Sequence, residues 1–126
     1  MSSIVPLRHK ETPAIQVEAL TYLQESLGPQ HSKDVIERAA LVLSDRLWAL
    51  EAALYDGDIE TVDKLASRLV TVSAQIGLAE FSLVASDLIK CIARQDVTSM
   101  MAVSARLLRV GERSLFLAVQ FPENVG

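Results

Sequence analysis

Apolar positions along this chain recur at three- and four-residue spacing rather than alternating, and Ala, Leu, Glu and Arg fill long segments of that period. No period-two run of Val, Ile, Thr and aromatics bounded by turns appears, so the pattern predicts an all-α domain. Thr12-Pro13 and Gly28-Pro29 bracket a first helix over about 13–27. Ser32 is placed to cap a second helix over about 33–55, which the turn Asp56-Gly57-Asp58 ends. Asp58 caps a third helix from Ile59 to Ile76, stopped by Gly77. A fourth covers about 79–94, and Asp96 caps a fifth that reaches about Val119, ahead of Pro122.

Short connections make successive helices antiparallel neighbours, which predicts an up-down-up-down four-helix bundle over about 33–119 with the first helix packed outside it. No linker rich in Gly, Ser or Pro divides the 126 residues, so a single domain is expected: an N-terminal extension and helix over 1–31, a bundle over 32–119 and a C-terminal tail over 120–126.

Helical phase sorts the side chains into faces. On the third helix Ile59, Val62, Leu65, Ala66, Leu69, Val72, Ser73 and Ile76 share the side expected in the core. The opposite side holds Glu60, Lys64, Ser67, Thr71 and Ala74, flanked by Arg68 and Val70, and is short-chained enough for close approach of a partner. The fourth helix is expected to bury Phe81, Val84, Ala85, Leu88, Cys91 and Ile92 and to turn Leu83 outward. The second has a core stripe from Ile36 through Leu43, Leu47 and Leu50 to Leu54, with a further apolar row of Leu41, Trp48, Ala52 and Tyr55. For the fifth, Val97, Met100, Met101, Leu108, Gly111 and Leu115 are assigned to the core with Leu107 at the edge, while Val103, Val110 and Leu117 form a separate row. The first helix, through Ile15, Leu20, Tyr22, Leu23 and Leu27, is expected to cover these surplus rows; otherwise Leu41, Trp48, Val103, Val110 and Leu117 would form a homodimer seam.

Charge narrows the function. Twelve Lys and Arg against sixteen Asp and Glu give a net charge of −4, the wrong sign for a general nucleic-acid binder. The first 60 residues hold five basic and ten acidic groups and the remainder seven and six, so a surface that seeks acidic partners belongs to the second half. Arg106, Arg109 and Arg113 line one outer face of the fifth helix, a solvated row partly balanced by Glu112. Charged residues interrupt every apolar tract, so no membrane span is expected, and the lone Cys91, together with a start that has no basic stretch ahead of a long apolar one, points to a reducing cytoplasm.

Candidate chemistry is sparse. His9 and His31 are the two histidines, at no metal or catalytic spacing. Asp56, Asp58, Glu60 and Asp63 lack the glycine and distal glutamate of a calcium loop and are explained by turn formation and capping. With no phosphate loop, nucleophile elbow or paired cysteines, neither an active site nor a cofactor or metal is expected.

Leu50-Glu51-Ala52-Ala53-Leu54-Tyr55-Asp56-Gly57-Asp58, then Leu65-Ala66-Ser67-Arg68-Leu69-Val70-Thr71-Val72-Ser73-Ala74-Gln75-Ile76-Gly77-Leu78, and the turn Ile92-Ala93-Arg94-Gln95-Asp96 together resemble the histidine-containing phosphotransfer domain of two-component signalling. The resemblance spans about 35–119, and Ala66, Leu69, Ser73, Ile76 and Gly77 match that family's framework pattern. Its functional positions differ: Ser67 stands where the family has the phospho-accepting histidine, Val70 where it has a lysine, and Thr71 where it has a glycine. No histidine follows Ser32, so a phosphohistidine cannot form within the bundle, and a serine phosphate ester lacks the transfer potential of a phosphoramidate. The resemblance thus implies a docking surface without catalysis, formed by Lys64, Ser67, Arg68, Val70, Thr71 and Leu83, for a response-regulator receiver or a histidine kinase.

Overall fold

Each helix end has a local chemical cause. In the computed structural model, which describes residues 17–125 and the side chains of 20–120, the elements are α1 (Val17–Leu27), α2 (Pro29–Asp56), α3 (Ile59–Gln75), α4 (Ala79–Ala93) and α5 (Val97–Val125). All are helices, and no described segment is a strand. The first four residues of the expected first helix, 13–16, and Ile15 with them, lie outside the described residues.

Only Gly28, with φ of 87°, separates α1 from α2, and Pro29 takes the first helical position, where its missing N–H is no loss. Ser32 is therefore not the cap expected from the sequence. It lies fully buried inside the first turn and donates its hydroxyl to the Pro29 carbonyl at 3.0 Å. At the other end of α2, Gly57 adopts φ of 75°, and the Asp58 N–H reaches back to the Ala53 carbonyl at 2.9 Å. The same six-to-one closure recurs from Leu78 to Ser73 at 2.9 Å and from Asp96 to Cys91 at 3.2 Å.

Asp58 and Asp96 cap the helices that follow, as their sequence positions suggest. The Asp58 carboxylate accepts from the Thr61 N–H at 3.2 Å and the Thr61 hydroxyl at 2.7 Å, and Asp96 does the same with Ser99 at 3.1 and 2.7 Å. The hydroxyl bonds first, and the backbone bonds second, hold both carboxyls below their ordinary pKa. A depressed folded-state pKa contributes stability that is fully present above the unfolded value, near 3.8, and lost as pH falls through the folded value. An acid titration of the melting temperature should accordingly be shallower below pH 4 in Asp58→Asn/Asp96→Asn than in the parent chain; identical slopes would show that these caps add no pH dependence.

α2 packs on α3, α3 on α4, α4 on α5, and α5 back on α2, with α1 laid against α2. The enclosed core is built from Leu20, Ile36, Leu43, Leu50, Val62, Leu69, Leu78, Phe81, Leu88 and Leu107, all essentially inaccessible to water. The α3 and α4 stripes lie close to the expected phase, although Ile59 is exposed and Leu65, Val72 and Ile92 are half-buried.

α5 departs from expectation in two ways. It continues to Val125, so residues 120–125 are helix rather than tail; Pro122 lacks an N–H but sits in the final turn, where the lost bond does not end the helix. Its buried row is Met100, Ser104, Leu107, Gly111, Ser114 and Ala118, whereas Val97 and Met101 are exposed and Leu108 and Leu115 half-buried. Small residues bring α5 close to its neighbours: a Cβ on Gly111 would stand 2.8 Å from Leu47 Cδ2 and 3.2 Å from Phe81 Cζ. The helix is thereby rotated so that Val97, Met101 and Phe116 face outward and Leu108 and Leu115 are half-buried, while Met100 and Leu107 stay in the core.

Candidate interaction surfaces

Two outer surfaces follow from this packing. The first is the face shared by α3 and α4. Lys64, Ser67, Arg68 and Thr71 are exposed along α3 with Val70 half-buried beside them, and Leu83 on α4 is 65% exposed. The Ser82 hydroxyl donates to the Val70 carbonyl across the two helices at 3.3 Å, which sets the residue preceding Leu83 against the middle of the α3 face. Lys64 pairs with Glu60 at 3.9 Å, an exposed contact of little energetic weight.

The hydroxyls on this face are turned back onto their own helix. Ser67 Oγ donates to the Asp63 carbonyl at 3.1 Å, and Thr71 Oγ1 to the Ser67 carbonyl at 3.3 Å. The hydrogen bond of Ser67 thus goes to a backbone carbonyl, which is not a base able to activate it as a nucleophile. Cys91 is buried in the α4 stripe with a free thiol. His31 is exposed at the start of α2, and His9 lies outside the described residues. Among the described residues no group of three or more His, Cys, Asp and Glu is placed to hold a metal ion, and no helix is long and apolar enough to cross a membrane.

The second surface is a groove between α2 and α5, enclosing about 600 Å³. From α2 it is lined by Ala40, Leu41, Ser44, Leu47 and Trp48, and from α5 by Leu108, Leu115, Phe116 and Val119. Leu41, Trp48 and Phe116 remain 67, 74 and 57% exposed, so α1 does not cover this row as the sequence suggested. α1 instead seats Leu20 in the core with Leu23 half-buried, and leaves Tyr22 and Leu27 exposed. Beyond the groove the two apolar rows continue in Tyr55 on α2 and Met101 and Val97 on α5, all exposed.

The structure does not join the five residues expected of a dimer seam. Leu41 and Trp48 line the groove, whereas Val103 and Val110 pack against the core and Leu117 is half-buried on the same side of α5 as Val110. The arginine row is also divided. Arg106 donates to Glu80 of α4 at 3.3 Å, while Arg109 and Arg113 are exposed and Glu112 lines the groove. Sequence reasoning passed over Phe116, Glu37, Glu51 and Glu112 as groove residues. The discoverable signal was the pair of parallel stripes, Leu41-Trp48-Tyr55 on one helix and Met101-Leu108-Leu115 on the other, each at seven-residue spacing.

Compared with known proteins, the chain matches no family model, no curated protein and no solved structure.

Proposed function

We propose that α2 to α5 form an up-down-up-down four-helix bundle of the phosphotransfer type, and that the chain is a non-catalytic interaction module of two-component signalling. It docks a receiver domain or a histidine kinase on the outer face of α3 and α4 and transfers no phosphate. The reading is supported above all by the composition of that face: a leucine exposed beside short hydroxylated residues, with Lys64 and Arg68 at the edge, fits the apolar centre and polar rim of a transient interface. The closed cycle of helix contacts fits the bundle. The absence of any histidine after His31 fits the lack of transfer.

The test uses the full chain with purified receiver domains and an autophosphorylated histidine kinase. Binding to one of them is expected without acid-labile label on residues 32–126, and Thr71→Glu should weaken that binding at least tenfold with the helical spectrum unchanged. Label on residues 32–126, or binding indifferent to Thr71→Glu, would overturn the proposal.

A further inference from the structure

The α2–α5 groove is separate from the α3–α4 face and has a different character. Its floor is apolar and its charged lining is of one sign: Glu37 and Glu51 from α2 and Glu112 from α5, with no lysine or arginine among the lining residues. All three glutamates are exposed and border the exposed apolar side chains of Leu41, Trp48 and Phe116. From Glu37 to Glu51 the groove follows α2 for a length on the order of 20 Å, at a rise of about 1.5 Å per residue.

We infer that this groove binds a cationic amphipathic helix of a partner protein. A helix about four turns long fits its length, with apolar residues at i, i+3 or i+4 and i+7 laid on Trp48, Leu41 and Phe116 and with Lys or Arg flanks meeting the three carboxylates. The apolar floor supplies affinity for any amphipathic helix; the carboxylates choose the cationic ones and raise their rate of encounter. The same charges disfavour the other occupants. A second copy placed symmetrically over the groove would bring two sets of Glu37, Glu51 and Glu112 together, and an anionic lipid surface would meet three carboxylates.

Trp48 is the chain's sole tryptophan, so its fluorescence reports on this groove alone. The experiment titrates the full chain with a synthetic 18-residue leucine–lysine helix, with the same peptide bearing glutamate for lysine, and with phosphatidylglycerol vesicles, following Trp48 emission and acrylamide quenching. The lysine peptide should produce a saturable blue shift and protect Trp48. The glutamate peptide should bind at least tenfold more weakly, and the vesicles should leave the emission unchanged. Glu37→Gln/Glu51→Gln/Glu112→Gln should weaken the lysine peptide at least tenfold, while Glu60→Gln/Asp63→Asn/Asp87→Asn, which removes the same charge from α3 and α4, should bind as the parent does. Circular dichroism confirms that both variants are folded.

Equal binding of the two peptides, no saturable response, equal weakening by both triple variants, or a vesicle-induced blue shift would overturn the inference. So would Trp48 already shielded before any addition: shielding lost on dilution identifies a second copy as the occupant, and shielding that persists in the monomer identifies a segment of the chain itself.

Discussion

Phe81→Ala is expected to lower the free energy of unfolding by about 3 to 5 kcal/mol, a large share of the roughly 5 to 15 kcal/mol that holds a domain of this size. The ring is fully buried, and its tip lies where α4 meets α5: Cζ and Cε1 are 3.2 and 3.3 Å from the point a Cβ on Gly111 would occupy. Removing the ring loses its transfer energy and leaves a void that rigid helices on either side cannot collapse to fill. Urea denaturation measures the loss directly. Gly111→Ala in the parent chain should also destabilise, by about 1 to 3 kcal/mol, because the added methyl presses on Phe81 and on Leu47 Cδ2 at 2.8 Å. In Phe81→Ala the same substitution should cost less, since one of its two obstacles is gone. Strict additivity of the two changes would mean that the α4–α5 contact is not made through this pair.

Local chemistry was legible in the sequence wherever it acts over a few residues. Asp58 and Asp96 were readable as caps because a carboxylate three residues before a hydroxyl needs no tertiary context, and Gly57 and Gly77 as helix ends because a positive φ favours glycine. Gly28-Pro29 was readable as a stop but acts equally as a start, which moved the beginning of α2 from about 33 back to Pro29.

The face of α5 was legible only in part, for a physical reason. Met100 and Gly111, assigned to the core, are buried. Ranking positions by apolarity also picks Val97, Met101, Leu108 and Leu115, whereas the helix approaches its neighbours through Ser104, Ser114 and Ala118 as well as Gly111, where small volume matters more than apolarity. That rotation leaves Leu108, Leu115 and Phe116 to make one wall of the groove. On the α3–α4 face, by contrast, the expected positions are all found at the surface, with Val70 half-buried, because apart from Ile59 and Leu83 the large apolar residues of both helices point inward.

Two leucines, one on each of those helices, separate the core from the proposed docking face. Leu69 on α3 is fully buried, and Leu69→Ala should cost about 2 to 5 kcal/mol through lost burial and a residual cavity. Leu83 on α4 is 65% exposed, and although Leu83→Asp is the more drastic change chemically, it should alter stability by less than about 0.5 kcal/mol, because its carboxylate stays in water. The binding readout should reverse this order: Leu83→Asp places a desolvated charge at the centre of the apolar patch and should abolish docking of the receiver or kinase, whereas Leu69→Ala, assayed at a temperature where it is folded, should bind within a few-fold of the parent. Thermal unfolding with a titration of the same partner checks both halves. Loss of stability in Leu83→Asp comparable to that in Leu69→Ala would place Leu83 under a covering element, and the α3–α4 face would then be an internal contact with no free surface to offer a partner.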